Sequence, residues 1–386
     1  MDLAFTPEQD AFRAEARAWL EANVPAEPLP SFDTREGFDA HRAWERRMHA
    51  DGWAVVSWPR AYGGRGASLL EWLIFEEEYW RAGAPGRVGQ NGLFLLGPTL
   101  MEYGTPEQQE RFLPRIASAE DIWCQGWSEP NVGSDLASVA ARATKRGEGW
   151  VLNGQKTWCS RGAFADWMFG LFRSDPTSER HRGLTFVLVP MDAPGVTVRP
   201  IEQLDGETGF AEVFLDDVSV PVANTLGLEG EGWNVAMSTA GFERGLLLRS
   251  PGRFTATAER LVALCARAGE SLPPSLRDEV TRAWIDAEAY RLQTFMTVSR
   301  LAEGAAIGAE ASLNKLWWSE MDLRMHETAM RLLGTSAELT GHATAAIDDG
   351  RWLDGYLFAL AGPIYAGTNE IQRSIVAERV LGLPRK

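Results

Sequence analysis

The stretch Cys124-Gln-Gly-Trp-Ser-Glu-Pro-Asn-Val-Gly-Ser-Asp135, with Asn153-Gly-Gln-Lys-Thr-Trp-Cys-Ser160 a little farther on, decides how this chain is read. Each stretch carries one Trp and one Ser close together, at Trp127-Ser128 and at Trp158 and Ser160. An indole offers a flat π-face to a planar ring, and hydroxyls or backbone N–H groups suit that ring's polar edge. Asp135 is different, since it follows a Gly-Ser turn where a turn or capping role is as good a reading as ligand contact.

Outward from these stretches the texture changes twice. Thr6-Pro-Glu-Gln and Thr105-Pro-Glu-Gln108 each place an N-cap, a Pro at the first helical position and a Gln where a capping box closes. Apolar residues at helical spacing follow, and Pro/Gly breaks at Pro59, Gly63-Gly64 and Pro85-Gly86 separate further runs, so residues 1–118 are expected to be helical. Trp150-Val-Leu runs into Asn153-Gly154, a hairpin-turn signal, and the runs 183–190, 196–199 and 212–215 are short and β-rich. Residues 119–225 are therefore expected to form a β-domain. The helical period returns through Trp284, Leu292, Leu316 and Met325 and continues to Val380, so 226–386 are expected to form a helical bundle.

Composition sets the outer limits. The 386 residues, 45% hydrophobic, suffice for two or three domains with a large core. A net charge of −15 argues against nucleic acid or an anionic membrane as a general partner. The three cysteines, Cys124, Cys159 and Cys265, cannot build a disulfide framework, and no metal-ligand spacing is present. With neither a signal-like N-terminus nor a membrane-length apolar run, a cytoplasmic protein is expected.

The two opening stretches resemble the Thr/Ser-Glu-Pro-x-x-Gly-Ser-Asp and Asn-Gly-x-Lys-x-Trp-x-Thr/Ser motifs of the acyl-CoA dehydrogenase family. Three further runs fit the same pattern: 212–221, Gly227-x-Glu-Gly-x-Gly-Trp233 and Gly367-Thr-Asn-Glu-Ile-Gln-Arg373. The resemblance covers nearly the whole chain. It implies an α+β fold with a helical N-terminal domain, a middle β-barrel or sandwich domain and a C-terminal four-helix bundle. It also implies bound FAD, with Trp127, Ser128, Trp158 and Ser160 lining the isoalloxazine. Ser134 would face the pantetheine arm of a CoA thioester, and Thr368 and Glu370 would serve the cofactor at the start of the last helix, where a diphosphate suits the helix N-terminus. The alternative for the two Trp residues is β-domain core, and for Thr368 a simple N-cap.

The family's reaction removes an α-proton from the acyl thioester and delivers the β-hydrogen as hydride to the flavin, giving a trans-2-enoyl-CoA. Many members carry the base as a Glu directly before the Gly-Thr of the last motif, where this chain has Ala366. A minority, including isovaleryl- and long-chain-type enzymes, carries it in an earlier Glu-Arg pair, here Glu243-Arg244 between Phe242 and the apolar run 246–248. The resemblance thus implies Glu243 as base and Arg244 at CoA, the alternative for both being an exposed helix surface. Ala366 would still polarise the thioester carbonyl, because that donor is a backbone N–H.

Family homotetramers also reach across to a neighbour's FAD with an Arg-x-x-Phe-Gly stretch and later Gln and Gly-Gly residues. The first is missing at 253–260, and Arg331 and Thr335 replace the Gln and the second Gly. This departure resembles actinobacterial dehydrogenases of sterol side-chain degradation, built from a catalytic and a non-catalytic chain. The expected partners are an acyl-CoA, an electron-transferring flavoprotein and an unlike subunit, or copies of the same chain. Two rival readings are a non-catalytic partner subunit and a flavin oxidase or monooxygenase on the same fold.

Overall fold

Both Thr-Pro-Glu-Gln stretches start helices. The computed structural model describes residues 4–244, 250–269, 272–305, 308–341 and 343–384, the side chains of Glu243 and Arg244 excepted. Helix α1 (Pro7–Asn23) is capped by Thr6 and α5 (Pro106–Ala117) by Thr105, each with the capping box closed by its Gln. Between them run α2 (Arg35–Ala50), α3 (Leu69–Arg81) and α4 (Gly97–Tyr103). A third capping box, Ser68 with Glu71, starts α3.

Eight strands follow: β1 (Trp123–Gly126), β2 (Arg142–Arg146), β3 (Gly149–Ser160), β4 (Trp167–Arg173), β5 (Leu184–Pro190), β6 (Val196–Ile201), β7 (Phe210–Pro221) and β8 (Thr225–Leu226). They form one sheet in the order β6-β7-β3-β2-β4-β5-β8, with β1 alongside β4 in parallel. Asn153-Gly154 is not a hairpin turn. The reversal occurs one turn earlier, after Arg146, which pairs with Gly149, and β3 runs straight through Asn153. Gly154, at φ +141°, sits instead at a bulge where the β3–β7 register slips between Leu152 and Gly154. The same permissive backbone that suits a turn suits a bulge. An added Cβ there would meet Ala141 at 2.6 Å, so the strands approach too closely for a side chain. The sheet packs on itself through Trp150, Leu152, Phe172, Val187, Val189 and Val213, all fully enclosed.

Among the described residues six more α-helices follow: α6 (Gly232–Arg244), α7 (Pro251–Ala268), α8 (Pro274–Ala302), α9 (Ala311–Leu333), α10 (Arg351–Ala359) and α11 (Asn369–Ile375). The protein is thus α+β, with helices before and after a middle sheet. By contacts it divides into two units, one of Met1–Val24, Ser68–Ala84 and Arg244–Lys386, the other of Pro25–Ala67 and Pro85–Glu243. In the first, Phe254, Leu261, Tyr290, Trp318, Met325 and Trp352 form the core. There α1 is tied to α3 by Arg13 and Arg17, which both donate to the buried Glu78. In the second, the sheet is joined by α2, α4, α5 and nearly all of α6. No helix among the described residues is long and apolar enough to cross a membrane.

Candidate active site

In the sheet-containing unit, β1 runs beside the fully enclosed centre of β4 and releases Trp127 and Ser128 just past its end. Trp127 is buried, edge-on to Phe169 and Phe186 with centroids 6.4 Å away, and its indole N–H finds no acceptor among the described residues. Ser128 is half-buried, and its carbonyl accepts the Thr157 N–H at 2.9 Å. That bond joins the two sequence stretches one residue from Trp158.

Trp158 and Arg161 both have left-handed backbone, φ +57° and +64°, on either side of Cys159-Ser160. For non-glycine residues such conformations cost about 1–2 kcal/mol each and persist only where the surroundings impose them. The β3–β7 register slips here too, between Lys156 and Cys159. The result lifts Trp158 off the sheet: its side chain is 60% exposed, flanked by Phe210 at 6.3 Å. Ser160 is half-buried beside it, its carbonyl accepting from Asn91 Nδ2 at 3.3 Å. Arg161 is pinned by an ion pair to Asp33 and by the Phe32 ring, 3.9 Å under its guanidinium. An exposed indole on strained backbone and an orphaned buried indole N–H fit a planar, hydrogen-bond-accepting ring such as a flavin.

Charge holds this surface from behind, through a pair that the sequence reading passed over. Glu129 accepts the Ala140 and Ala141 N–H groups at 2.8 and 2.9 Å and the Lys156 ammonium at 2.8 Å. Lys156 is fully buried and also donates to the Leu171 carbonyl at 2.7 Å and the Trp127 carbonyl at 3.4 Å. Burial lowers its pKa and Glu129 opposes that shift. No local signal in the sequence marks the pair, since Glu129 stands between Ser128 and Pro130 and Lys156 between Gln155 and Thr157. Cys124 and Cys159 lie buried in the same core. The Cys159 side chain beside it, together with burial, pushes the Cys124 thiol well above its ordinary range, so it is an inert packing group.

Ser134 is exposed in the loop before the short helical turn Leu136–Ser138. The adjoining Asp135 accepts from Ser138 Oγ and from Arg180 at 2.8 Å, and those two partners, Ser138 foremost, hold its carboxyl below the usual range. It is occupied in fixing the loop. Glu243 and Arg244 close α6, but their side chains, like residues 245–249 after them, lie outside the described residues.

Ala366, Thr368 and Glu370 belong to the other unit. Ala366 and Gly367 are both left-handed, φ +57° and +77°, turning the chain into α11. Thr368 is the N-cap, its hydroxyl accepting the Ile371 N–H at 3.3 Å, and Glu370 is exposed, 3.9 Å from Arg373. Two buried side chains brace this turn. Lys315 donates to the Gly362 carbonyl at 2.9 Å and to Asn369 Oδ1 at 2.7 Å, so it clamps both ends of the loop. Gln372 Nε2 reaches back to the Ala366 and Gly367 carbonyls at 3.1 and 3.3 Å. In the same unit Arg253 pairs with Asp322 at 3.0 Å and Arg331 with Glu279, so both face partners within this chain.

Family models for acyl-CoA dehydrogenases match the chain in three consecutive pieces: the N-terminal domain at residues 6–120, the middle domain at 124–218 and the C-terminal domain at 230–381. Acyl-CoA dehydrogenase IpdE1 of Mycobacterium tuberculosis is 42% identical, with 98% of each chain covered. Acyl-CoA dehydrogenase FadE26 of the same organism is 32% identical over 100% of this chain and 99% of its own. Among solved structures, the Tcur3481-Tcur3483 steroid ACAD superposes with a TM-score of 0.88 at 28% identity, and the ChsE4-ChsE5 complex from Mycobacterium tuberculosis with 0.85 at 31%. Both alignments cover 100% of each chain.

Proposed function

We propose that this chain, which belongs to the acyl-CoA dehydrogenase family and so to the oxidoreductases acting on CH–CH donors, binds FAD and desaturates a bulky, steroid-derived acyl-CoA to its trans-2-enoyl-CoA. The observation that carries the reading is the exposed, left-handed Trp158 beside Ser160, with the orphaned Trp127 N–H on the adjoining segment. The flavin supplies the hydride acceptor for the substrate's β-hydrogen. Glu243 takes the α-proton as general base, a contribution of about 10²–10⁴ in rate. The Ala366 N–H, aimed by the Lys315 and Gln372 braces, donates to the thioester carbonyl on which charge develops. Ser134 and Arg244 serve the CoA arm, and Thr368 and Glu370 serve the FAD.

The steroid assignment draws on the likeness to the Tcur3481-Tcur3483 steroid ACAD. An unlike partner subunit is supported by the likeness to the ChsE4-ChsE5 complex and by exposed apolar side chains on α8. Ile285 and Leu292, seven residues apart on one helical face, are 53% and 45% exposed, a surface that another chain would cover. Such an assembly works in the cytoplasm and passes its electrons to an electron-transferring flavoprotein.

The test is co-expression with family members encoded nearby, FAD reconstitution, and anaerobic mixing with acyl-CoAs of graded bulk. Bleaching of the flavin band by steroid-sized thioesters in preference to linear ones is the expected result. Absence of a flavin band with every partner refutes the cofactor. Bound flavin that no acyl-CoA bleaches favours the non-catalytic reading instead.

A further inference from the structure

Lys156 is a buried cation with no evident part in the reaction chemistry. Replacing buried ion pairs by well-packed apolar groups is often neutral or stabilising, so stability alone is a poor account of the Glu129–Lys156 pair. Its position is more informative. The Trp127 carbonyl that Lys156 approaches and the Ser128 N–H are the two ends of one peptide group. A cation at the oxygen draws electron density from the nitrogen and strengthens that N–H as a donor. Among the described residues the Ser128 N–H makes no hydrogen bond, while the Ser128 carbonyl is fixed by Thr157. The Trp127–Ser128 peptide thus has its carbonyl beside a cation, the next carbonyl fixed by Thr157, and its own N–H without a partner among the described residues.

We propose that Lys156 is a positioning and tuning residue for the flavin, holding and polarising the Trp127–Ser128 peptide so that the Ser128 N–H donates strongly to the ring's electron-rich edge. This rests on the flavin reading above. Reduction puts more negative charge on the ring, so a polarised donor favours the reduced state and raises the potential. Glu129 keeps the ammonium in place and neutralises the pair, which confines the effect to this one peptide.

The test compares wild type, Lys156→Met, and Lys156→Met with Glu129→Gln, each with its partner subunit. The single variant leaves Glu129 buried beside no cation and can fail to fold. The double variant removes both charges, while the amide introduced in place of the Glu129 carboxylate keeps an oxygen for one of the Ala140 and Ala141 N–H groups. FAD affinity by fluorescence titration, the visible band of bound flavin, its midpoint potential and the melting temperature before FAD is added are all measured. The double variant should melt within a few degrees of wild type, bind FAD about tenfold more weakly, and show a shifted band and a more negative potential. A double variant with wild-type affinity, band and potential overturns the proposal, as does one that cannot fold, since the pair then belongs to core stability. Wild-type protein that takes up no FAD with any partner defeats the flavin reading itself, which separates the two failures.

Discussion

Replacing Glu45 by Gln should stabilise the protein in alkali and leave it nearly unchanged in acid. Glu45 lies on α2, fully enclosed, with both carboxyl oxygens accepting the Gly89 N–H, at 2.9 and 3.2 Å. Burial pushes its pKa from the ordinary 4.5 up to about 7, overcoming the downward pull of the Gly89 and Val88 N–H groups and of Arg87 and Arg161. Because the folded pKa is the higher one, the folded state holds this proton more tightly than the unfolded chain does. Its contribution to stability is complete below 4.5, falls as pH rises toward 7, and stays lost above that. At 1.36 kcal/mol per pKa unit the loss is about 3 kcal/mol. Gln keeps an acceptor for Gly89 and cannot ionise, so it escapes the loss. Urea unfolding of both proteins from pH 4.5 to 9, at fixed flavin concentration, should show a gap near zero in acid that opens to about 3 kcal/mol by pH 8. A gap that does not change with pH would refute the reasoning. Asn91, two residues beyond Gly89, holds the Ser160 carbonyl, so the flavin band of wild type alone should also move across this range.

Glu78 should behave with the opposite sign: against the upward push of burial, hydrogen bonds from Arg17, Arg13 and Arg81 hold it down to about 2. Its stabilisation is present above 4.5 and lost as pH falls toward 2, so Glu78→Gln should cost about 3 kcal/mol at pH 7 and progressively less between pH 4.5 and 3, read from urea midpoints. Ala366→Gly should leave flavin reduction by substrate within about twofold and raise stability by up to about 1 kcal/mol, because the proposed donor is a backbone N–H and the left-handed turn suits glycine; a tenfold loss of rate would assign the methyl group a role. Glu243→Gln should keep FAD bound and slow its anaerobic reduction by about 10²- to 10⁴-fold in stopped flow; an undiminished rate would remove Glu243 from the mechanism.

Helix starts and the alternation of helix, sheet and helix were legible because they depend on neighbours in sequence. Thr6 and Thr105 announce their helices within four residues. Asn153-Gly154 misled because glycine's freedom serves a turn and a bulge equally, and only the partner strand β7 decides between them. The braces were invisible for a related reason. Lys156 and Lys315 have the composition of surface residues, and only the fold brings Glu129, Leu171, Gly362 and Asn369 to their ammonium groups. The left-handed turns at Trp158 and Ala366 were equally hidden, since neither Trp nor Ala signals positive φ.

These two failures of legibility have one physical origin. Three non-glycine residues, Trp158 and Arg161 in one unit and Ala366 in the other, sit in conformations that the chain does not favour on its own. Near each of them a buried or half-buried charged side chain grips backbone or a charged partner. Lys156 holds the Trp127 and Leu171 carbonyls behind Trp158, Asp33 holds Arg161, and Lys315 clamps the loop that carries Ala366. A charged group in the core is costly unless fully bonded, and one that is fully bonded leaves its backbone partners few alternatives. Such groups therefore suit a site whose hydrogen-bond donors toward the ligand are largely peptide N–H groups, because only the surrounding structure can aim those. The vacancy of a side-chain base at Ala366 is tolerable on the same ground. On the proposed reading, in which the Ala366 N–H polarises the thioester carbonyl, Lys315 and Gln372 hold the turn by its backbone, so the carboxylate can come from elsewhere in the chain without disturbing that donor.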